Sequence, residues 1–158
     1  MHNSQPIKHV THKPMTAEQI LDKAAEILEC KYVSADPYTS SQATKDFLSF
    51  KLGKYEREVF AVMLLDSQHK LIDYQELFFG TINAASVYPR EVVKTVLTNN
   101  AAAVIFAHNH PSGEIEPSQA DIAITNRLKS ALALIDVSVL DHVVIGKSAT
   151  SFAERGLL

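Results

Sequence analysis

His108 and His110 stand two residues apart, and Asp121 follows after a short loop that opens at Pro111. Two imidazoles and a carboxylate suit a zinc ion with one coordination position left open. That is the arrangement of catalytic zinc, whereas structural zinc is usually closed by four ligands, often thiolates. Cys30 is the single cysteine, so a thiolate-closed site is not available. Nitrogen and oxygen ligands also suit other divalent ions, so these residue types do not by themselves single out zinc. The same stretch has a second reading. Ser118-x-x-Asp121 resembles a helix capping box with Asp in place of Glu or Gln, which would start a helix with no metal present. The two readings are compatible, because a carboxylate has two oxygens.

Local sequence must bring the three side chains together. The apolar run from Ala101 to Ala107 has the length and the Val-Ile-Phe core of a buried strand. A strand continued through His110 puts both imidazoles on one face, because side chains alternate. Pro111 ends regular pairing, and Pro111-Ser112-Gly113 is a turn signal. Ser118 is a good N-cap for a helix from Gln119 to Leu134, so Asp121 sits in the first helical turn and can face back to the strand end. Asp141, His142 and Asn109 are candidates to orient the imidazoles. For Asp141-His142 the preferred reading is a polar approach to the apolar strand Val143-Val144-Ile145. Ser112 reads as a turn serine.

The remaining pattern predicts a mixed sheet with helices on both faces, an α/β fold in a single domain. Residues 1–14 read as a polar arm containing His2, His9 and His12, and residues 15–37 as a helix and linker. The first helix runs from a Thr16 cap to about Cys30, with Ile20, Leu21, Ala24, Ile27 and Leu28 as its apolar face. A second, Ser41 to about Lys54, turns Ala43, Phe47, Leu48 and Leu52 inward. Glu58 to Asp66 and Leu71 to Gly80 read as a strand pair around a turn. Pro89 suits the first turn of a helix reaching Asn99, and Val137 to Ile145 holds one or two strand pieces.

Composition bounds the function. A chain of 158 residues is one domain by length. No run approaches the ~18 apolar residues of a membrane span, and the polar start is unlike a signal peptide. Cytoplasmic location is therefore expected, in agreement with the lone Cys30. A net charge of −3 with scattered Lys and Arg argues against direct nucleic-acid binding. A zinc deaminase needs His-x-Glu and Pro-Cys-x-x-Cys, and a zincin needs His-Glu-x-x-His; none is present. The His-Asn-His nuclease motif spreads its residues over a ββα unit instead of placing them side by side.

The pattern His108-x-His110-Pro111 with Ser118-x-x-Asp121 resembles the JAMM motif of the JAB/MPN metalloproteases. Gly80-Thr81-Ile82, Val87-Tyr88-Pro89-Arg90-Glu91-Val92, Asn100-Ala101-Ala102-Ala103, Ala107 to Gly113 and Asp141-His142 add a likeness to the RadC-like branch, which covers about Ser40 to Leu158. The close of the chain, Ser151 to Leu158, is similar to short RadC-like proteins without the helix-hairpin-helix front segment of longer members. The resemblance implies the MPN fold over residues 38–158, similar in outline to the cytidine-deaminase-like three-layer architecture. It implies His108, His110 and Asp121 as ligands of one Zn2+ per chain. Ser118 matches the serine that helps hold the water and stabilise an oxyanion. A glutamate near an early strand serves the family as general acid/base, and Glu56 and Glu58 are the candidates. The acid should lie two residues before an aromatic or aliphatic strand position, which selects Glu58, ahead of Phe60. Without the resemblance, residues 54–58 would read as a solvated face. Tyr88 departs from the histidine common at its position.

The expected function is a zinc-dependent hydrolase acting on a peptide or isopeptide bond, with a peptide or protein as substrate. A zinc-containing binding module and a DNA-repair-associated role are the alternatives. Substrate and oligomeric state are not legible in the residues.

Overall fold

The computed structural model describes residues 13–34, 41–81 and 86–158. The expected arm, most of the linker and part of the Gly80-Thr81-Ile82 motif lie outside that range. The elements in chain order are α1 (Ala17–Ser34), α2 (Ser41–Leu52), β1 (Val59–Leu65), β2 (Leu71–Phe79), α3 (Pro89–Thr98), β3 (Ala103–Asn109), α4 (Gln119–Ala133), β4 (Ser138–Ile145) and β5 (Ala149–Ser151). The strands form one sheet in the order β2-β1-β3-β4-β5. Only β3 and β4 are parallel, joined by α4; the other neighbours are antiparallel. This is the expected mixed sheet, with β1 and β2 as its hairpin.

Every residue of β1 and β3 is buried. Central strands covered on both faces carry continuous apolar runs rather than alternation, and Val59–Leu65 and Ala103–Ala107 are such runs. Phe60, Val62, Leu64, Val104 and Phe106 pack one face against α3 and α4 through Val92, Val96, Ile124 and Leu128. Val59, Ala61, Met63, Ala103, Ile105 and Ala107 pack the other against Phe47, Leu48 and Leu52 of α2. Asn100 and Asp136 adopt positive φ just beyond α3 and α4. At each end a backbone N–H bonds back five residues, Ala101 to Val96 and Val137 to Leu132. This left-handed helix stop turns the chain from α3 into β3 and from α4 into β4.

Three features depart from the sequence expectation. The first helix extends to Ser34. Its expected apolar face is only partly covered: Ile20 and Leu21 are 54% and 43% exposed, Ala24 and Ile27 are half-buried, and Ala25 beside them is in the core. The helix packs on α2 rather than on the sheet's centre, and a short helix–helix contact covers only a narrow stripe. Finally, β5 is a three-residue strand with no periodicity to announce it.

Ile105→Ala should lower stability by about 2–5 kcal/mol, the cost of removing a large buried aliphatic side chain. Leu134→Ala, at a position 87% exposed, should stay within about 0.5 kcal/mol of the parent. Urea unfolding midpoints compare the two.

Candidate metal centre

The centre forms where the C-terminal end of β3 meets the N-terminus of α4. His108 and Asn109 close β3. His110 lies just beyond, but its N–H still bonds Ile145 O of β4 at 2.7 Å, so the strand geometry continues far enough to put both imidazoles on the α4 side. Ser118 is the N-cap of α4. Its hydroxyl accepts from Asp121 N–H, and its own N–H donates to Asp121 Oδ2 at 2.7 Å. The capping box is therefore real and uses one carboxylate oxygen. The other, Oδ1, faces His108 Nε2 at 3.2 Å.

The three side chains converge, with one ligand atom from each lying within 4.8 Å of the others. His108 Nε2 and His110 Nε2 are 3.0 Å apart, and His110 Nε2 is 3.5 Å from Asp121 Oδ2. Ligands about 2.0–2.1 Å from a tetrahedral zinc ion stand roughly 3.3 Å from one another, so the cluster has the span of a zinc face. The group is nearly closed to solvent: His108 and Asp121 are buried and His110 is partly buried.

Hydrogen bonds behind the rings decide which nitrogens carry protons. A carbonyl oxygen only accepts, so His110 Nδ1, 3.1 Å from Glu114 O, is the protonated nitrogen and Nε2 keeps its lone pair. The chain behind His108 is longer. The Thr125 hydroxyl donates to Asp121 O at 2.6 Å and lies 2.6 Å from His142 Nδ1. Its one hydrogen is committed to the carbonyl, so His142 Nδ1–H donates to it. His142 Nε2 is then an acceptor, and His108 Nδ1 donates to it at 2.8 Å. His108 Nε2 is left unprotonated toward Asp121 and His110. Full burial holds the His142 ring well below the usual histidine range, in keeping with the neutral tautomer. Burial works against the charge of Asp121, which a positive charge beside it and the Ser118 N–H outweigh, so its carboxyl lies below the usual carboxylate range. Two lone pairs and a carboxylate oxygen thus meet with no proton between them. Such a set is stabilised by a cation, and the donors present fit a zinc ion.

The preferred sequence reading of His142 was therefore incorrect. It is fully buried, spans Thr125 and His108, and stacks on Phe152 with ring centres 4.8 Å apart. It reaches His108 because β4 runs parallel beside β3. Asp141 serves elsewhere: its carboxylate accepts from His142 N–H, Ala153 N–H and the Ser151 hydroxyl, tying β4 to β5. Asn109 turns to the β1 side, where its amide bonds Val59 N–H, Tyr55 O and Arg57 O rather than an imidazole. Ser112 is a turn residue, its hydroxyl accepting from Glu114 N–H. Thr125 was not singled out, although it lies one helical turn after Asp121, on the same face of α4.

Glu58 sits just before β1, partly buried, with its carbonyl accepting from Gly80 N–H. The β1–β3 register sets Phe60 opposite His108; continued by two residues, it sets position 58 opposite His110. Glu56 is exposed, as expected. Tyr88, 58% exposed, is the N-cap of α3 and packs edge-on against Phe78, outside the ligand set.

The 111–117 loop rests on the β4–β5 turn. Lys147 N–H bonds Gly113 O, and a side chain at Gly146 would collide with Gly113 O and Glu114 O. The constraint is close approach of backbone, and the carbonyl it protects is the one that orients His110.

Replacing His142 with Phe should keep the stacked ring and remove the acceptor behind His108. Zinc affinity should drop about 10–100-fold, the usual cost of losing such a partner. Gly146→Ala should weaken zinc over a similar range, ~10–100-fold, by displacing the Glu114 carbonyl. Competition with a chromophoric chelator measures both.

A model of the RadC-like JAB domain matches residues 38–157. Two UPF0758 proteins of Vibrio cholerae are 65% and 61% identical over 140 residues, covering 89% of this chain and 89% of each relative. A UPF0758 protein of Idiomarina loihiensis is 56% identical over 140 residues, and this chain spans 62% of its length. No helix among the described residues is long and apolar enough to cross a membrane. The fold, the ordered motifs and these matches together show that the chain belongs to the RadC-like JAB-domain family.

Proposed function

We propose that this chain is a zinc-dependent hydrolase of amide bonds, of the JAMM metallopeptidase or isopeptidase type. The observation that carries the reading is the convergence of His108 Nε2, His110 Nε2 and Asp121 on one point, with both imidazole tautomers set from behind. A ligand set of three leaves a coordination position for water, as in catalytic zinc. Zinc bound there would supply a water that ionises near neutral pH and a Lewis acid for a carbonyl.

The chain's own groups divide the remaining work. Glu58 accepts a proton from the attacking water as its oxygen bonds to the carbonyl carbon. The carboxyl then delivers that proton to the departing amine nitrogen as the C–N bond breaks. The Ser118 hydroxyl accepts from Asp121 N–H and keeps its own hydrogen, which it can offer to the developing oxyanion. The products are a carboxylic acid and an amine, so one water is consumed and no redox partner is required. Partial burial of Glu58 beside a strand end suits a proton shuttle, which must be shielded from bulk water and still reach the substrate.

Asp121→Ala should abolish stoichiometric zinc, with about one ion per chain in the parent, by elemental analysis of protein purified without an affinity metal. Glu58→Gln should retain zinc and lose hydrolysis of a mixed peptide and isopeptide library by at least about 100-fold. Hydrolysis that survives in Glu58→Gln would remove Glu58 as the base. Zinc-loaded parent that cleaves nothing across such libraries would point to a zinc-containing binding module.

A further inference from the structure

Asn109 lies between two proposed ligands, yet its side chain points to the opposite side of the sheet. It is 3% exposed, and its hydrogen-bonding capacity is nearly fully used. Oδ1 accepts from Val59 N–H at 2.7 Å; Nδ2 donates to Arg57 O at 3.0 Å and to Tyr55 O at 3.2 Å. The three backbone groups belong to alternate residues, 55, 57 and 59, and they bracket Glu58. Backbone pairing of β1 with β3 begins only at Phe60 and His108. Ahead of that point, one amide side chain replaces the ladder.

We infer that Asn109 is a positioning residue that holds Glu58 over the metal centre. Side chains along an extended segment alternate. Fixing 57 and 59 from the α2 side therefore directs position 58 to the other face, which carries Phe60 and His108. The segment is steadied from β2 as well, by the Tyr55 hydroxyl donating to Glu76 Oε2 at 2.7 Å and by Gly80 N–H donating to Glu58 O. The Glu76 carboxylate raises the Tyr55 hydroxyl to about 12, so this tether persists through the neutral range. Of these tethers, only the Asn109 amide links the segment directly to the strand that carries the ligands. Residues 108, 109 and 110 thus place two imidazoles on one side and set the acid/base from the other. This assignment rests on the proposed roles of Glu58 and the zinc ligands.

The test needs no substrate. Protein with 13C-labelled glutamate side chains is loaded with Co2+ alone, with Zn2+ as the diamagnetic reference, and the Glu58 carboxyl signal is assigned through Glu58→Gln. In the parent that signal should be strongly broadened or shifted by Co2+, because the paramagnetic effect falls steeply with distance. Asn109→Ala should lose most of the effect while keeping Co2+ affinity. Asn109→Asp, which preserves shape but removes both donors, should do the same if the alanine variant does not fold. Leu48→Ala, which loosens the same side of the core without removing a hydrogen bond to residues 55–59, should retain the parent's effect. A Glu58 signal unaffected by Co2+ in the parent, or equally affected in the Asn109 variants, overturns the inference. So does an equal loss in Leu48→Ala, and so does a parent that binds no Co2+. A parent that passes this test and cleaves no peptide defeats the hydrolase reading and leaves the role of Asn109 standing. If peptides are cleaved, the Asn109 variants should lose about 100-fold in kcat, the scale of a small misplacement of a reacting group, with KM little changed.

Discussion

The mutual repulsion of three electron-rich atoms is the constraint on which this molecule is organised. His108 Nε2 and His110 Nε2 lie 3.0 Å apart, one 3.2 Å from Asp121 Oδ1 and the other 3.5 Å from Asp121 Oδ2, a cluster that no apolar packing would favour. The fold holds it together by bonding each of these side chains from behind. Glu114 O holds one ring, His142 the other, and Ser118 N–H the carboxylate. Leaving a buried polar group unpaired costs more than a made bond contributes. Each of these partners is therefore as much a part of the centre as the ligands. No buried side-chain polar atom among the described residues lacks a partner.

Much of this was legible in the sequence because it is local. Strand alternation puts His108 and His110 on one face, and the Ser118–Asp121 spacing marks a helix start, both within fourteen residues of chain. The apolar runs announced β1, β3 and the mixed sheet. The contacts of His142 and Asn109 were only partly legible, both being candidates to orient the imidazoles, for a shared reason: their partners lie 34 and up to 54 residues away. They meet only through strand pairing, and the β3–β4 register itself shifts between Val104 and Ile105. The sequence motif Asp141-His142 looked like one polar unit. Alternation instead sends its two residues to different tasks, His142 to the metal side and Asp141 to the β5 corner.

The hydrophobic pattern of α1 illustrates the opposite limit. Its periodicity was readable, but periodicity tells which side chains share a face and not whether a surface exists to cover them. Ile20 and Leu21 remain exposed because α1 packs on α2, at the periphery of the core.

The division of labour along β3 also bears on how the chain reaches its native state. Side-chain direction in a strand inverts with a slip of one residue. A mispaired β3 would press both imidazoles into the apolar layer beneath α2 and present an amide, a poor zinc ligand, on the other side. Such a species would have little affinity for the ion. An ion that binds only correctly paired chains draws the population toward them by mass action. The metal centre would then act as a proofreader of strand pairing during folding, before it served any chemistry.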